Sequence, residues 1–235
     1  MKVAEVMETI DRGLFVPDGT SAYVDSPMPI GLQCHHFRTT CACYLPSIIG
    51  GKFAARYARF RCRLRVNPTC QVSMAIKKRV GLRDSMAASS SSIPEEFRTG
   101  YLTACFAIMV VPRGRAVGVE HIPELVASSI QNIEKSAAAP LLKECSLSLH
   151  FGDGRQGWPE CAPYDAIHVG AAAPEIPQPL LDQLKPGGRM VIPVGNMFQD
   201  LKVVDKALDG SISIRSETSV RHVPLTSRDA QLRGY

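Results

Sequence analysis

Two carboxylates follow apolar runs of the chain and could bind a polar ligand. Glu120 ends the run Arg115–Glu120, and Asp153 follows the alternating run Ser146–Phe151. A carboxylate offers two acceptor oxygens in one plane, which suits the two hydroxyls of a ribose. Asp153 could accept from an adenine amino group, and Gly154 beside it would allow close approach. The alternatives are a solvated acid at the end of a strand for Glu120 and an ordinary Asp-Gly turn for Asp153.

A run of small residues forms a third candidate site. Gly170, Ala171 and Ala172 follow the apolar run Tyr164–Val169, at a point where a ligand or a substrate backbone could come close. The alternative is tight packing between a helix and a strand. The later Pro-Gly-Gly beginning at Pro186 indicates a turn at the end of a helix.

The elements that must position these residues alternate between strand and helix. The pattern predicts a helix from Gly100, a strand ending at Glu120, a helix over Pro123–Lys135, and a strand–helix–strand unit over 164–194. Closing strands are expected at Leu201–Val204, 212–214 and 220–223, with a hairpin turn at Asp209-Gly210. Such alternation is typical of a doubly wound α/β sheet, whose ligands bind at the carboxyl ends of the strands. The candidate residues therefore converge on one edge.

Residues 32–99 differ in composition from the rest of the chain. They contain 12 Lys and Arg against 3 Asp and Glu, although the whole chain has a net charge of only +5. The segment shows no sustained period of 2 or 3.6 and holds a serine run. Its cluster Cys34, His35, His36, Cys41 and Cys43 fits no standard zinc spacing, so no metal site is expected. A basic segment without interleaved aromatic residues does not favour nucleic-acid binding either.

Several motifs resemble the protein-L-isoaspartate O-methyltransferase family. The resemblance covers residues 3–31 and 100–231, and its most specific parts are GYLTACF from Gly100, GDGR from Gly152, the block 164–195 and VPLT from Val223. It implies a seven-stranded Rossmann-like sheet and S-adenosyl-L-methionine as cofactor. The implied reaction moves a methyl group to the α-carboxylate of an L-isoaspartyl residue in a damaged protein. The ester then cyclises to a succinimide, which hydrolyses partly to aspartate.

The resemblance also implies roles for individual residues. Glu120 would bind the ribose and Asp153 with Gly154 the adenine. Gly100, Thr226 and Gln231 would complete the cofactor site, and the loop Gly170, Ala171 and Ala172 would face the substrate. His222 stands where the family usually has an aromatic residue, which alters that wall of the pocket.

The family pattern is interrupted between Gly31 and Gly100. There the family has a segment similar to YNATISAPHMHA, with the serine assigned to catalysis, and then the glycine loop LDVGSGSG that wraps the methyl donor. Neither is present, so no catalytic residue is assigned. Allowed codons for Leu32–Cys41 (CTA CAA TGC CAC CAT TTC CGC ACC ACA TGC), read one base later, encode YNATISAP. We therefore interpret residues 32–99 as frame-shifted and mis-spliced, with the first strand and the glycine loop disrupted.

These interpretations describe one methyltransferase-like domain over residues 1–235, in which 32–99 form an aberrant, disordered insert. The expected partners are proteins and peptides that contain isoaspartate, and the chain is expected to be monomeric. No apolar run approaches the roughly 18 residues of a membrane span and no signal peptide is evident, so cytoplasmic location is expected. The activity of this chain stays open, and the alternative is an inactive isoform or a binding remnant with a basic insert.

Overall fold

The computed structural model describes residues 3–15, 28–31, 34–36, 71–76, 100–112 and 114–233. The helices are α1 (Val3–Thr9), α2 (Tyr101–Val110), α3 (Pro123–Glu134), α4 (Ala139–Lys143), α5 (Gln178–Gln183) and α6 (Arg228–Arg233), with 3₁₀ turns at Arg12–Phe15 and Pro159–Cys161. The strands are β1 (Met28–Gly31), β2 (Cys34–His36), β3 (Gln71–Ile76), β4 (Arg115–Glu120), β5 (Leu147–Phe151), β6 (Tyr164–Val169), β7 (Leu184–Val194), β8 (Gln199–Lys206) and β9 (Ile212–Val220).

The main sheet is mixed, with the strand order β5-β4-β3-β6-β7-β8-β9 among the described residues. β4 pairs with β5 in parallel, and β6 pairs with β7 in parallel around the short helix α5. This confirms the strand–helix–strand unit predicted over residues 164–194, which makes the sheet Rossmann-like. β8 and β9 close the sheet as an antiparallel hairpin.

Apolar side chains form a core on each face of the sheet. Val117 and Val119 of β4 lie in the core that also contains Leu180 and Met190, while Ala116 lies in the opposite core with residues of α1 and α2. This alternation follows the period of two of a β-strand. Gly118 allows α2 to lie close to β4, since a Cβ there would lie 3.1 Å from Oγ1 of Thr103.

One part of residues 32–99 differs from the expectation that this segment forms a disordered insert. Gln71–Ile76 forms β3, which lies in the middle of the sheet between β4 and β6 and runs antiparallel to both. The physical reason is the backbone: a gap there would leave the inner N–H and C=O groups of two buried strands without partners. Residues 32–33, 37–70 and 77–99 lie outside the described residues.

The closing strands also differ from the prediction. Residues 212–220 form one continuous strand, β9, and residues 221–223 do not extend the sheet. The side-chain amide of Gln199 binds the backbone of His222, where Nε2 donates to the carbonyl at 2.9 Å and Oε1 accepts from the N–H. The carbonyl of Val223 accepts from the N–H of Ala172 at 2.8 Å. These contacts use the backbone groups that a strand would have needed.

Among the described residues, no helix is both long enough and apolar enough to span a bilayer.

Candidate functional site

The carboxyl ends of four strands lie at one edge of the sheet. β3 is antiparallel to both β4 and β6, so these two strands point the same way, and β5 and β7 run parallel to them. The edge therefore carries Glu120, the turn after Phe151, the loop after Val169 and the turn after Val194. The term "ligand edge" is used below for this set of strand ends.

Glu120 is a buried acid at the ligand edge. Its residue is 1 % exposed, and Oε1 accepts from the N–H of Ile122 at 3.1 Å and lies 3.9 Å from Nε2 of His121. Oε2 is buried as well and accepts no hydrogen bond from the described residues. Burial raises the pKa of Glu120 to about 8, against the opposing effect of the backbone N–H groups of Ile122 and His121. A buried acceptor without a donor is a site at which a ligand hydroxyl can bind.

Asp153 lies next to Glu120 but is already paired. The N–H of Gly152 donates to the carbonyl of Glu120 at 3.0 Å, which ties the two strand ends together. The guanidinium of Arg155 holds both carboxylate oxygens of Asp153, with Nε at 3.0 Å from each, and the N–H of Arg155 donates to Oδ1 at 2.9 Å. Burial acts to raise the pKa of Asp153, but the contacts with Arg155 outweigh it and hold the pKa below its usual value. An adenine amino group would use the lone pairs that remain.

Trp158 covers the turn that leads into Asp153, a feature that the sequence reasoning missed. Its ring stacks on His150, with the centroids 4.2 Å apart and an angle of 20° between the planes. A Cβ at Gly152 would lie 3.3 Å from this ring, so glycine allows the indole to lie close to the backbone there. The signal in the sequence was the only tryptophan of the chain, which lies six residues after Gly152.

The loop Gly170, Ala171 and Ala172 is packed and not open. Ala171 is fully buried and Ala172 is 2 % exposed. The N–H of Ala172 donates to Val223, and its carbonyl accepts from the N–H of Leu225 at 2.7 Å. These contacts favour the packing alternative for the small side chains, and the substrate role of the loop stays a prediction.

The remaining predicted cofactor residues, Thr226, Gln231 and Gly100, lie in three places. Thr226 is half-buried and follows Leu225, so the structure brings it near the loop after β6. Gln231 lies in α6, and its side chain is outside the described residues. Gly100 is the N-cap of α2 and has a φ of +97°, and a Cβ there would lie 2.9 Å from Cβ of Ser129. Packing against α3 is thus enough to explain the glycine at position 100.

Two histidines lie buried close to each other beneath the ligand edge. The ring of His168, in β6, lies with its centroid 6.0 Å from that of Phe106 in α2. Burial, followed by the nearby His222, lowers the pKa of His168 to about 3, and burial lowers the pKa of His222 to about 4. Both rings are therefore neutral at physiological pH, as suits their buried positions.

No group of three or more His, Cys, Asp or Glu suited to a metal ion gathers in the ranges that the structure describes. Of the cysteine–histidine cluster, Cys34, His35 and His36 form β2, and Cys41 and Cys43 lie outside these ranges.

Comparison with known proteins decides the family. A family model described as protein-L-isoaspartate(D-aspartate) O-methyltransferase matches residues 1–48 and 97–230, well over half of the chain. The chain belongs to this family. Its match breaks inside the segment 32–99, although it reaches residue 48, so this comparison places the interruption at 49–96.

Curated relatives and solved structures agree with this family membership. Protein-L-isoaspartate O-methyltransferase 1 of Arabidopsis thaliana is 56% identical over 99% of this chain and 87% of its own length. The Triticum aestivum protein-L-isoaspartate O-methyltransferase is 54% identical over 98% of this chain and 86% of its own length. A Plasmodium falciparum protein described by the same activity, crystallised with S-adenosyl-L-homocysteine, superposes with a TM-score of 0.67 at 22% identity, covering 97% of this chain and 91% of its own. That likeness shows the fold.

Proposed function

We propose that this protein is an S-adenosylmethionine-dependent methyltransferase that acts on the α-carboxylate of L-isoaspartyl residues. The observation that carries the proposal is the buried carboxylate of Glu120 at the ligand edge, with one oxygen that accepts no hydrogen bond from the described residues. This orphaned acceptor fits a ribose hydroxyl, which is a donor. Family membership supports the reaction, because relatives 54% and 56% identical over nearly the whole chain bear its name.

The residues of the chain would bind the cofactor from its adenosine end. Glu120 would accept from the ribose hydroxyls, and Asp153 with Gly154 would meet the adenine. Thr226 and Gln231 are proposed for the same pocket from their family positions. S-adenosylmethionine, when bound, supplies the methyl group. The acceptor carboxylate has a pKa near 4 and is already ionised at neutral pH, so the protein needs no strong general base.

The other end of the cofactor has weaker support from the chain. In the family, a glycine loop follows the first strand at the ligand edge, and its sequence is missing from residues 32–99. The strand in the central position, β3, runs the opposite way: Gln71 pairs with Glu120, and Ile76 lies opposite Arg115. The end of β3 therefore points away from the ligand edge. We propose that the first strand and glycine loop are disrupted and that methyl transfer by this chain is impaired.

The expected loss is large because this reaction depends on alignment. Holding the acceptor oxygen, methyl carbon and sulfur in line replaces an encounter in solution, and such alignment contributes about 7–11 kcal/mol in well-oriented systems. Losing only part of this contribution would reduce the rate by orders of magnitude. The alternative, a binding remnant that acts through its basic insert, has no contact among the described residues in its favour.

A methyl-transfer assay tests the proposal. The purified chain, radiolabelled S-adenosylmethionine and an isoaspartyl peptide are expected to give little or no product above the matched aspartyl peptide. Replacing residues 32–99 with the family segment YNATISAP through LDVGSGSG is expected to restore turnover, and Glu120→Gln in that chimera to reduce it. Robust turnover by the unchanged 235-residue chain would contradict the impairment. A chimera that folds and still fails to methylate would contradict the proposed reaction.

Two further expectations remain proposals. We expect a monomer, which light scattering of the purified chain can check. We also expect a cytoplasmic location, which imaging of a tagged full chain can check.

A further inference from the structure

The turn between β7 and β8 presents two large apolar side chains to solvent. Met197 is 88% exposed and Phe198 is 91% exposed, while Gly195 before the exposed residues is half-buried and Gln199 after them is buried. Together these two residues are called the apolar tip. Large apolar side chains that are adjacent and fully exposed mark a candidate contact surface.

The backbone that carries the apolar tip is well anchored. The N–H of Gly195 donates to the carbonyl of Ala173 at 2.9 Å, and Nε2 of Gln199 donates to the carbonyl of Asn196 at 3.2 Å. Gly195 has a φ of +125°, and a Cβ there would lie 2.0 Å from the carbonyl oxygen of Phe198. Only glycine fits this tight turn. The apolar tip is therefore held in one place by contacts on both sides.

The position of the apolar tip indicates which kind of partner could contact it. The turn follows β7 at the ligand edge, and its hydrogen bond to Ala173 places it directly beside the loop that begins at Gly170. A protein substrate is a chain that continues on both sides of the reacting residue. Those flanking residues must leave the site across the ligand edge, where the apolar tip lies.

We propose that Met197 and Phe198 bind apolar side chains of the polypeptide that flanks the isoaspartyl residue. This inference rests on the proposed function and adds to it a preference among substrates. Apolar contact is non-directional, so it tolerates many sequences, as a surface for damaged residues in varied surroundings must. Met adapts its shape easily, and Phe adds a large contact area.

The test measures peptide binding and does not depend on turnover. Fluorescence anisotropy is recorded with two labelled isoaspartyl peptides, one with Leu and Phe two to four residues from the isoaspartate and one with Ser at those positions. The double variant Met197→Ser/Phe198→Ser is expected to bind the apolar peptide about tenfold more weakly and the Ser peptide almost unchanged.

Leu208→Ser is the matched control. Leu208 is 86% exposed in the hairpin turn between β8 and β9, at the opposite edge of the sheet, so its loss is expected to change neither affinity. Equal affinities of the unchanged chain and the double variant for the apolar peptide would overturn the inference. So would a dimer of the unchanged chain that the double variant loses while its peptide affinity stays the same.

The two proposals fail in different ways. If the apolar peptides bind through the apolar tip with no preference for isoaspartyl over aspartyl, the proposed function fails and the docking surface stands. If S-adenosylhomocysteine binds but no peptide does, the docking surface fails and the cofactor half of the proposed function stands.

Discussion

The neighbouring strands β3 and β4 form one continuous part of the sheet but differ in what they deliver to the site. β4 runs toward the ligand edge and ends with Glu120, whose carboxylate is buried there. β3 pairs with β4 along its whole length but runs away from that edge. Both strands satisfy the backbone of the sheet, and only β4 ends at the ligand edge.

The difference separates folding from function in this chain. Antiparallel pairing offers hydrogen bonds at least as good as parallel pairing, so a central strand of either direction completes the sheet. A cofactor site at the carboxyl edge needs a particular direction, because the loop that follows the strand must reach the ligand. The fold can therefore persist where half of the site does not.

The largest expected effect tests whether β3 is a central strand. Ser73 pairs with Gly118 on one side and with His168 on the other. Ser73→Pro removes a backbone N–H in the middle of the sheet and is expected to lower the free energy of unfolding by about 3 kcal/mol or more. Urea denaturation followed by circular dichroism measures this change.

Ser73→Ala keeps the N–H and serves as the control for that substitution, with little expected loss. If Ser73→Pro and Ser73→Ala unfold at the same urea concentration, β3 is not a central strand of the sheet.

A smaller effect is expected when the buried acid on β4, Glu120, is replaced. The pKa of Glu120 rises on folding from 4.5 to about 8. Between these two pH values the folded chain keeps a proton on Glu120 that the unfolded chain loses. The stabilising contribution of this proton is present below pH 4.5 and is lost as the pH rises through 8. Glu120→Gln keeps the shape and an acceptor for the Ile122 N–H. The free energy of unfolding of Glu120→Gln, taken relative to that of the unchanged chain, is expected to be about 2 kcal/mol higher at pH 8.5 than at pH 5.

Thermal unfolding of both chains at these two pH values checks the Glu120 prediction. If the difference in melting temperature between the two chains does not change with pH, the pKa of Glu120 is not raised in the folded protein.

The smallest effect is expected at the partly exposed pair beside it. Arg155→Gln removes the guanidinium that holds the pKa of Asp153 down. A lowered pKa contributes stability above the ordinary value of 3.8, and this contribution is lost as the pH falls through the folded-state pKa. Because both side chains are more than a third exposed, the loss at pH 7 is expected to stay below about 1 kcal/mol. An NMR titration should show that the pKa of the Asp153 carboxyl lies closer to 3.8 in Arg155→Gln than in the unchanged chain.

The sequence was sufficient to predict the elements that carry the site. The bounds of β4 agree with its apolar run, and α3 and β5 lie within one residue of the prediction, because each has a clear period and a clear stop. β3 was not predicted, because its position and direction depend on the two neighbouring strands with which it pairs. The end of β9 was not predicted, because the side-chain amide that binds the backbone of His222 belongs to Gln199, 23 residues away in the sequence.

The sequence was sufficient to predict where the candidate site lies, but not which contacts its side chains make. Strand ends place Glu120 and the turn of Asp153 at one edge, as expected from topology. That Arg155 occupies the oxygens of Asp153, and that Ala171 and Ala172 are packed beneath Leu225, depends on side-chain and backbone contacts that spacing does not reveal.

The central claim is that the adenosine end of the cofactor site is retained and the other end is not. Isothermal titration of the unchanged chain with adenosine and with S-adenosylhomocysteine tests it most directly. The account predicts similar affinities for the two ligands and a loss of both in Glu120→Gln. A much tighter S-adenosylhomocysteine complex, or binding unchanged by Glu120→Gln, would contradict it.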